Sequence, residues 1–184
     1  MTLGGTTLFT SYVLPPLLSA FSERCPGVEL RLNEAHTARL KGELQEGTLD
    51  FVIDNCAFDP TVYESQLLKR EQVILAVPCG LPLSPQAAPF RLSAAQLTIK
   101  DAPRVPLPLF ADVPFLLLKE GNDTRARAEQ LCAQAGFTPH IRLQLDQQLA
   151  AYNLASYGLG AAFISDTLAL SAPPDERLVY YRID

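Results

Sequence analysis

Twice along this chain, short apolar runs alternate with segments of helical period, first at 2–53 and again at 115–164. This pattern constrains the fold most, because strand–helix–strand units joined by right-handed crossovers build parallel sheets. In the first set, residues 2–5 read as a strand end, and Gly4-Gly5 permit a tight turn and close approach to a ligand. Thr6 or Thr7 can cap the helix that follows. Leu8, Tyr12, Val13, Leu17, Leu18 and Phe21 lie at helical spacing. Pro15 and Pro16 lack an N–H donor, so the helix is expected to restart with one of them in its first turn and to end at Pro26-Gly27. Val28, Leu30 and Leu32 alternate with Glu29, Arg31 and Asn33, which is strand period. Residues 37–45 read as a helix with Leu40 and Leu44 on one face and Gly47 as the stop. Phe51-Val52-Ile53 reads as a short buried strand.

The second set repeats the order. Phe115-Leu116-Leu117-Leu118 is a buried strand, and Asn122 or Asp123 can cap a helix that Gly136 terminates. Ile141, Leu143 and Leu145 alternate, 146–157 is helical up to Gly158, and 159–164 is a buried strand. Residues 67–78 read as a longer strand or strand pair, and 178–183 as a terminal strand. Between 78 and 114 stand eight of the fifteen prolines, a stretch of loops and short helices, one of them expected at 92–97.

Bulk properties exclude several classes. With 184 residues, 48% apolar and 19% charged, the chain can bury a core without a disulfide or metal staple. Its net charge of −5 and the lack of a long Lys/Arg cluster make DNA binding by this segment unexpected. No run of apolar residues is long enough to span a membrane, and the N-terminus lacks a signal-peptide pattern, so the expected location is cytoplasmic. Cys25, Cys56, Cys79 and Cys132 show no zinc or C-x-x-C spacing and read as reduced thiols. His36 and His140 fall in no metal or triad spacing. No metal or cofactor is expected, and no catalytic constellation is visible.

Ligands of open α/β sheets bind beyond the carboxyl ends of strands, where helix N-termini point. Those ends are Gly5-Thr6-Thr7, Asp54-Asn55-Cys56, Lys119-Glu120-Gly121-Asn122, Asp146-Gln147 and Ser165.

Several segments carry a family resemblance. They are the Leu-Pro stretch at Leu14-Pro15, Pro26-Gly27-Val28-Glu29-Leu30, Gly47-Thr48-Leu49-Asp50, Gly136-Phe137-Thr138-Pro139-His140-Ile141 and Gly158-Leu159-Gly160. In order and spacing they resemble the effector-binding domain of LysR-type transcriptional regulators, over nearly the whole chain. The resemblance implies an α/β fold of two Rossmann-like lobes joined by two crossover strands, like type II periplasmic binding proteins. Lobe I would take 1–77 plus 165–184 and lobe II 78–164, with hinges near Val77-Pro78 and Ile164-Ser165. Ser165 departs from the family, which often has Pro there, and the chain stops at Asp184, short of the family's usual last strand and helix.

The implied function is sensing. A small effector, expected to be anionic, would bind in the interlobe cleft and alter the geometry of a homodimer. DNA would be reached only through an N-terminal helix-turn-helix domain absent from this segment. A solute-binding protein serving a transporter is the alternative, and an enzyme is not expected. The candidate contacts are Thr6, Thr7, Asn55, Cys56, Lys119, Asn122, Thr124, Gln147 and Phe163. Most also have a plainer role: Thr6, Thr7, Asn122 and Thr124 as caps, Asn55 and Cys56 in a turn, Lys119 as a solvated charge, and Phe163 as core.

Overall fold

The computed structural model describes residues 1–56 and 58–184. They form two compact units, Met1–Arg70 and Glu71–Asp184.

The first unit is a three-stranded parallel sheet in the order β2-β1-β3, with β1 at Thr2–Gly5, β2 at Arg31–Glu34 and β3 at Phe51–Ile53. β2 is shorter than the alternation at 28–33 suggested. A strand needs a partner, and the ladder starts where β1 does, with Thr2 opposite Arg31. β3 is an edge strand, so Phe51 is exposed rather than buried. Gly4 and Gly5 lie inside β1, not in a turn. A Cβ on Gly4 would meet Leu49 Cδ1 at 2.7 Å and Leu40 Cδ2 at 2.8 Å, so the missing side chain admits two core leucines.

The paired prolines behave as their chemistry requires. A helical start at Thr7-Leu8 runs into a single wide turn, Phe9–Val13, and then α1, Leu14–Arg24, with Pro15 and Pro16 in its first turn. In that wide turn the Leu14 N–H donates to Phe9 O, five residues back. Rings that cannot donate are thereby set at the start of a fresh α segment. α2, Thr37–Gln45, packs beside β3 and β1 with Leu40 fully buried. His36 caps it, Nδ1 accepting from Arg39 N at 3.3 Å, and Gly47 at φ +72° follows its end.

The second unit holds six strands: β4 (Val73–Pro78), β5 (Arg104–Val105), β6 (Pro114–Leu118), β7 (His140–Leu145), β8 (Ala161–Ser165) and β9 (Leu178–Ile183). Their order is β5-β9-β4-β8-β6-β7. β6 pairs in parallel with β7 and β8, giving the same second-first-third order as the first unit's sheet. α3 (Asp123–Gln134) and α4 (Gln148–Ser156) connect these strands, and a short α5 (Asp166–Ser171), not anticipated, follows β8.

β4 is antiparallel to both neighbours, with Ala76 opposite Ala162 on one side and Tyr180 on the other. β8 and β9 flank β4, so residues 71–184 hold together as one compact unit. Residues 67–72 are not strand.

Phe115, Phe163, Phe110 and Tyr181 anchor the core. The Phe115 and Phe163 rings stack at 5.3 Å, and Phe110 meets Tyr181 edge-on at 5.0 Å. The proline-rich stretch folds into three 3-10 turns, Pro85–Phe90, Ala95–Thr98 and Leu107–Phe110, besides β5. Arginines fasten it to β9. Buried Arg182 donates to Leu97 O at 2.6 Å and Lys100 O at 3.1 Å, and Arg104 donates to Ile183 O at 2.7 Å.

Candidate functional site

In the first unit the parallel register brings Gly5-Thr6-Thr7, Glu34-Ala35-His36 and Asp54-Asn55-Cys56 to one edge of the sheet. Thr6 O accepts from Phe9 N at 2.9 Å and Thr10 N at 3.1 Å, which opens the helix. The Thr7 hydroxyl donates to Glu34 Oε1 at 3.0 Å, and the Thr10 hydroxyl donates to Glu34 Oε2 at 2.6 Å. Glu34 and Thr10 thus belong to the group that sequence reasoning limited to Thr6 and Thr7. Asp54 is committed locally: Oδ2 accepts from the Thr37 hydroxyl and Oδ1 from Asn55 N, both at 2.7 Å. Asn55 and Cys56 are half-buried beside it.

In the second unit β6, β7 and β8 end along one edge, and α3, α4 and α5 begin there. Lys119 Nζ pairs with Asp146 Oδ2 at 2.9 Å, with both side chains more than half exposed, so the pair adds little stability. Asn122 caps α3, Oδ1 accepting from Thr124 N at 2.9 Å. Thr124 is buried, and its hydroxyl oxygen accepts from Gln148 Nε2 at 3.0 Å. Gln148 Oε1 accepts from Ser165 N at 2.9 Å, and Ser165 Oγ accepts from Leu168 N at 3.3 Å to cap α5. One buried amide therefore ties the starts of α3 and α4 to the end of β8. Arg125 is also buried, donating from Nη1 to Leu118 O at 2.9 Å and pairing with Glu129 at 2.7 Å.

Gln147 stands at the N-cap of α4 with no side-chain capping bond and is half-buried at the same edge. Phe163 is different. It is 2% exposed and stacked in the core, so its ring is not offered to a ligand here. Gln148 went unnoticed in the sequence because Gln147 and Gln148 are equivalent until the helix start fixes which one points inward. Among the described residues, no group of three or more His, Cys, Asp or Glu could hold a metal ion, and no helix is long and apolar enough to cross a membrane.

Two parallel α/β arrangements, each with helix starts gathered at its strand ends, define a small-molecule-binding class of fold. The model of the LysR substrate binding domain matches residues 1–184, and the chain belongs to that family. A "Probable hydrogen peroxide-inducible genes activator" of Mycobacterium avium is 32% identical over 165 residues, covering 89% of this chain and 48% of that protein. The chain spans about half the length of the curated relatives it matches. Among solved structures, the cofactor-binding domain of the Cbl transcriptional regulator has a TM-score of 0.71 at 24% identity, covering 98% of this chain and 72% of that one. The Synechocystis PCC6803 CcmR regulatory domain in complex with 2-PG has a TM-score of 0.75 at 18% identity, covering 100% and 80%. At such identities the structures show the fold, which is the type II periplasmic-binding-protein-like fold of these domains. The relatives are transcriptional regulators, not enzymes.

Proposed function

We propose that this chain is the sensing part of a LysR-type regulator, taking up a small-molecule effector at the strand-end edges of its units and passing the event on as altered dimer geometry. Membership of the substrate-binding family carries the reading. The gathered helix starts, with Thr7, Asn122, Thr124 and Gln147 at or beside them, support it. An anionic group on the effector would compete with Asp146 for Lys119 and meet the N-termini of α3 and α4 in the second unit. DNA reading would belong to sequence outside this segment, in line with its net charge of −5.

Thermal unfolding against a panel of organic acids, amino acids and neutral metabolites tests this. A ligand present at about 100 times its dissociation constant adds about 2.7 kcal/mol, which raises the midpoint by several degrees. A selective rise for one chemical class is the expected result, and a flat response across the panel would count against a sensor. Light scattering should find a dimer, and a monomer at high concentration would remove the proposed route of signalling.

A further inference from the structure

β8 outruns its neighbours at its C-terminal end. It pairs with β6 only at Ala161 and Ala162, and with β4 as far as Ser165, opposite Val73. Past those ladders two side chains supply the missing acceptors. Ser165 N donates to Gln148 Oε1 at 2.9 Å, and Gln148 Nε2 donates to the Thr124 hydroxyl oxygen at 3.0 Å. One residue on, the chain turns into α5. There Asp166 N donates to Gln72 O at 2.9 Å, and Gln72 N donates back to Asp166 Oδ1 at 3.1 Å. The carboxylate takes the place of the carbonyl that a continuing strand would offer. The N–H groups of 165 and 166 therefore go to different partners, one to the buried amide and the other to Gln72. Residues 64–72 form no helix or strand, and the second unit begins at Glu71.

We propose that Gln148 is a positioning residue that couples the starts of α3 and α4 to Gln72, so that the tethering of 64–72 depends on how those helix starts are held. Thr124, Gln148 and Ser165 are all buried, so water does not make good a bond lost among them. A displacement at the start of α3 is then taken up by the Gln148 amide and passed to the Ser165-Asp166 joint. Coupling of this kind is reciprocal: loosening Gln72 must loosen the Gln148 amide. Its use in signalling rests on the sensor reading, under which a ligand that shifts either helix start would tighten or free 64–72.

Native-state hydrogen exchange followed by NMR tests the coupling with no ligand present. The reporters are the Gln72 and Asp166 amides, with Leu75 inside β4 as the measure of wider unfolding. The variants are Thr124→Val, Thr124→Ser and, as a control, Ser156→Ala, a buried α4 position whose hydroxyl donates to Asn153 O in its own helix. Thr124→Val should speed exchange at Gln72 and Asp166 about fivefold beyond any change at Leu75. Thr124→Ser should restore the wild-type rates, and Ser156→Ala should leave them in step with Leu75. In the reverse direction, Asp166→Ala should speed exchange of the Gln148 side-chain amide by a similar factor, which purely local packing would not do. This arm, at a half-buried position, decides the matter should Thr124→Val not fold. Gln72 and Asp166 tracking Leu75 in Thr124→Val, equal loosening by Ser156→Ala, or an unmoved Gln148 amide in Asp166→Ala would each overturn the coupling. Failure of the sensor reading shows separately, as a flat metabolite panel with the exchange result intact.

Discussion

Gln148 Nε2 donates to the Thr124 hydroxyl at 3.0 Å while the same amide's Oε1 accepts from Ser165 N at 2.9 Å. All three residues are buried, so neither partner has water to fall back on.

Gln148→Leu should therefore cost about 2–4 kcal/mol, because it strands a buried N–H and deprives the Thr124 hydroxyl of its donor. Urea unfolding would measure it. Thr124→Val in the same background should cost little more, since the pair has already been broken.

Gly160→Ala should destabilise by about 2–4 kcal/mol. Gly160 has φ +156°, and an added Cβ would stand 2.5 Å from Pro114 O on the neighbouring strand. A backbone oxygen cannot move aside as a side-chain tip can, so a fall in Tm is the expected readout.

Alkali should weaken the fold through Cys132. Burial, with the charge of Glu129 adding to it, raises that thiol from 9.0 to about 11. Below about pH 9 both folded and unfolded chains keep the proton. Between the two values only the unfolded chain loses it, so stability falls as pH rises and the loss is complete above about 11, amounting to about 2 kcal/mol. Burial also pushes the Tyr180 phenol up, helped by the Tyr152 hydroxyl 3.0 Å away, and this acts in the same direction at higher pH. Comparing urea midpoints at pH 8 and pH 11 for wild type and Cys132→Ala would show a shallower loss in the variant. The same burial should make Cys132 slower than exposed Cys79 to react with thiol reagents in the native state.

Thr7→Ala should leave stability within about 0.5 kcal/mol, because among the described residues its side-chain hydrogen bond is an exposed one to Glu34. Effector affinity should fall, and calorimetry with whichever ligand the thermal panel identifies would check it. Unchanged affinity would take Thr7 out of the site.

The fold was legible where local chemistry decides it. The bounds of α2 and β9 follow from a glycine stop and an apolar run, and Pro15-Pro16 announced where the helix restarts. Legibility failed where a distant partner decides. β2 begins at Arg31 because β1 begins at Thr2, and nothing between 28 and 34 encodes that limit. Phe51 looked buried until β3 proved to be an edge. β5 is two residues made into strand by β9, nearly eighty positions later. Within the candidate site, Asn122 was readable as a cap, but Glu34 and Gln148 act through partners 24–27 and 17–24 residues away.

The position of β9 sets an order of events during synthesis. β4 emerges early, yet one of its two ladders needs 178–183, about a hundred residues later in the chain. Closing so large a loop is slow and entropically costly, and it cannot start before that strand has left the ribosome. The first unit has all of its strands by Ile53 and can assemble while translation continues. During that interval the apolar β4 sequence, Val73-Ile74-Leu75-Ala76-Val77, is an open edge. A nascent chain should therefore be most exposed to aggregation through β4, and most in need of a chaperone, in the interval before β9 has emerged.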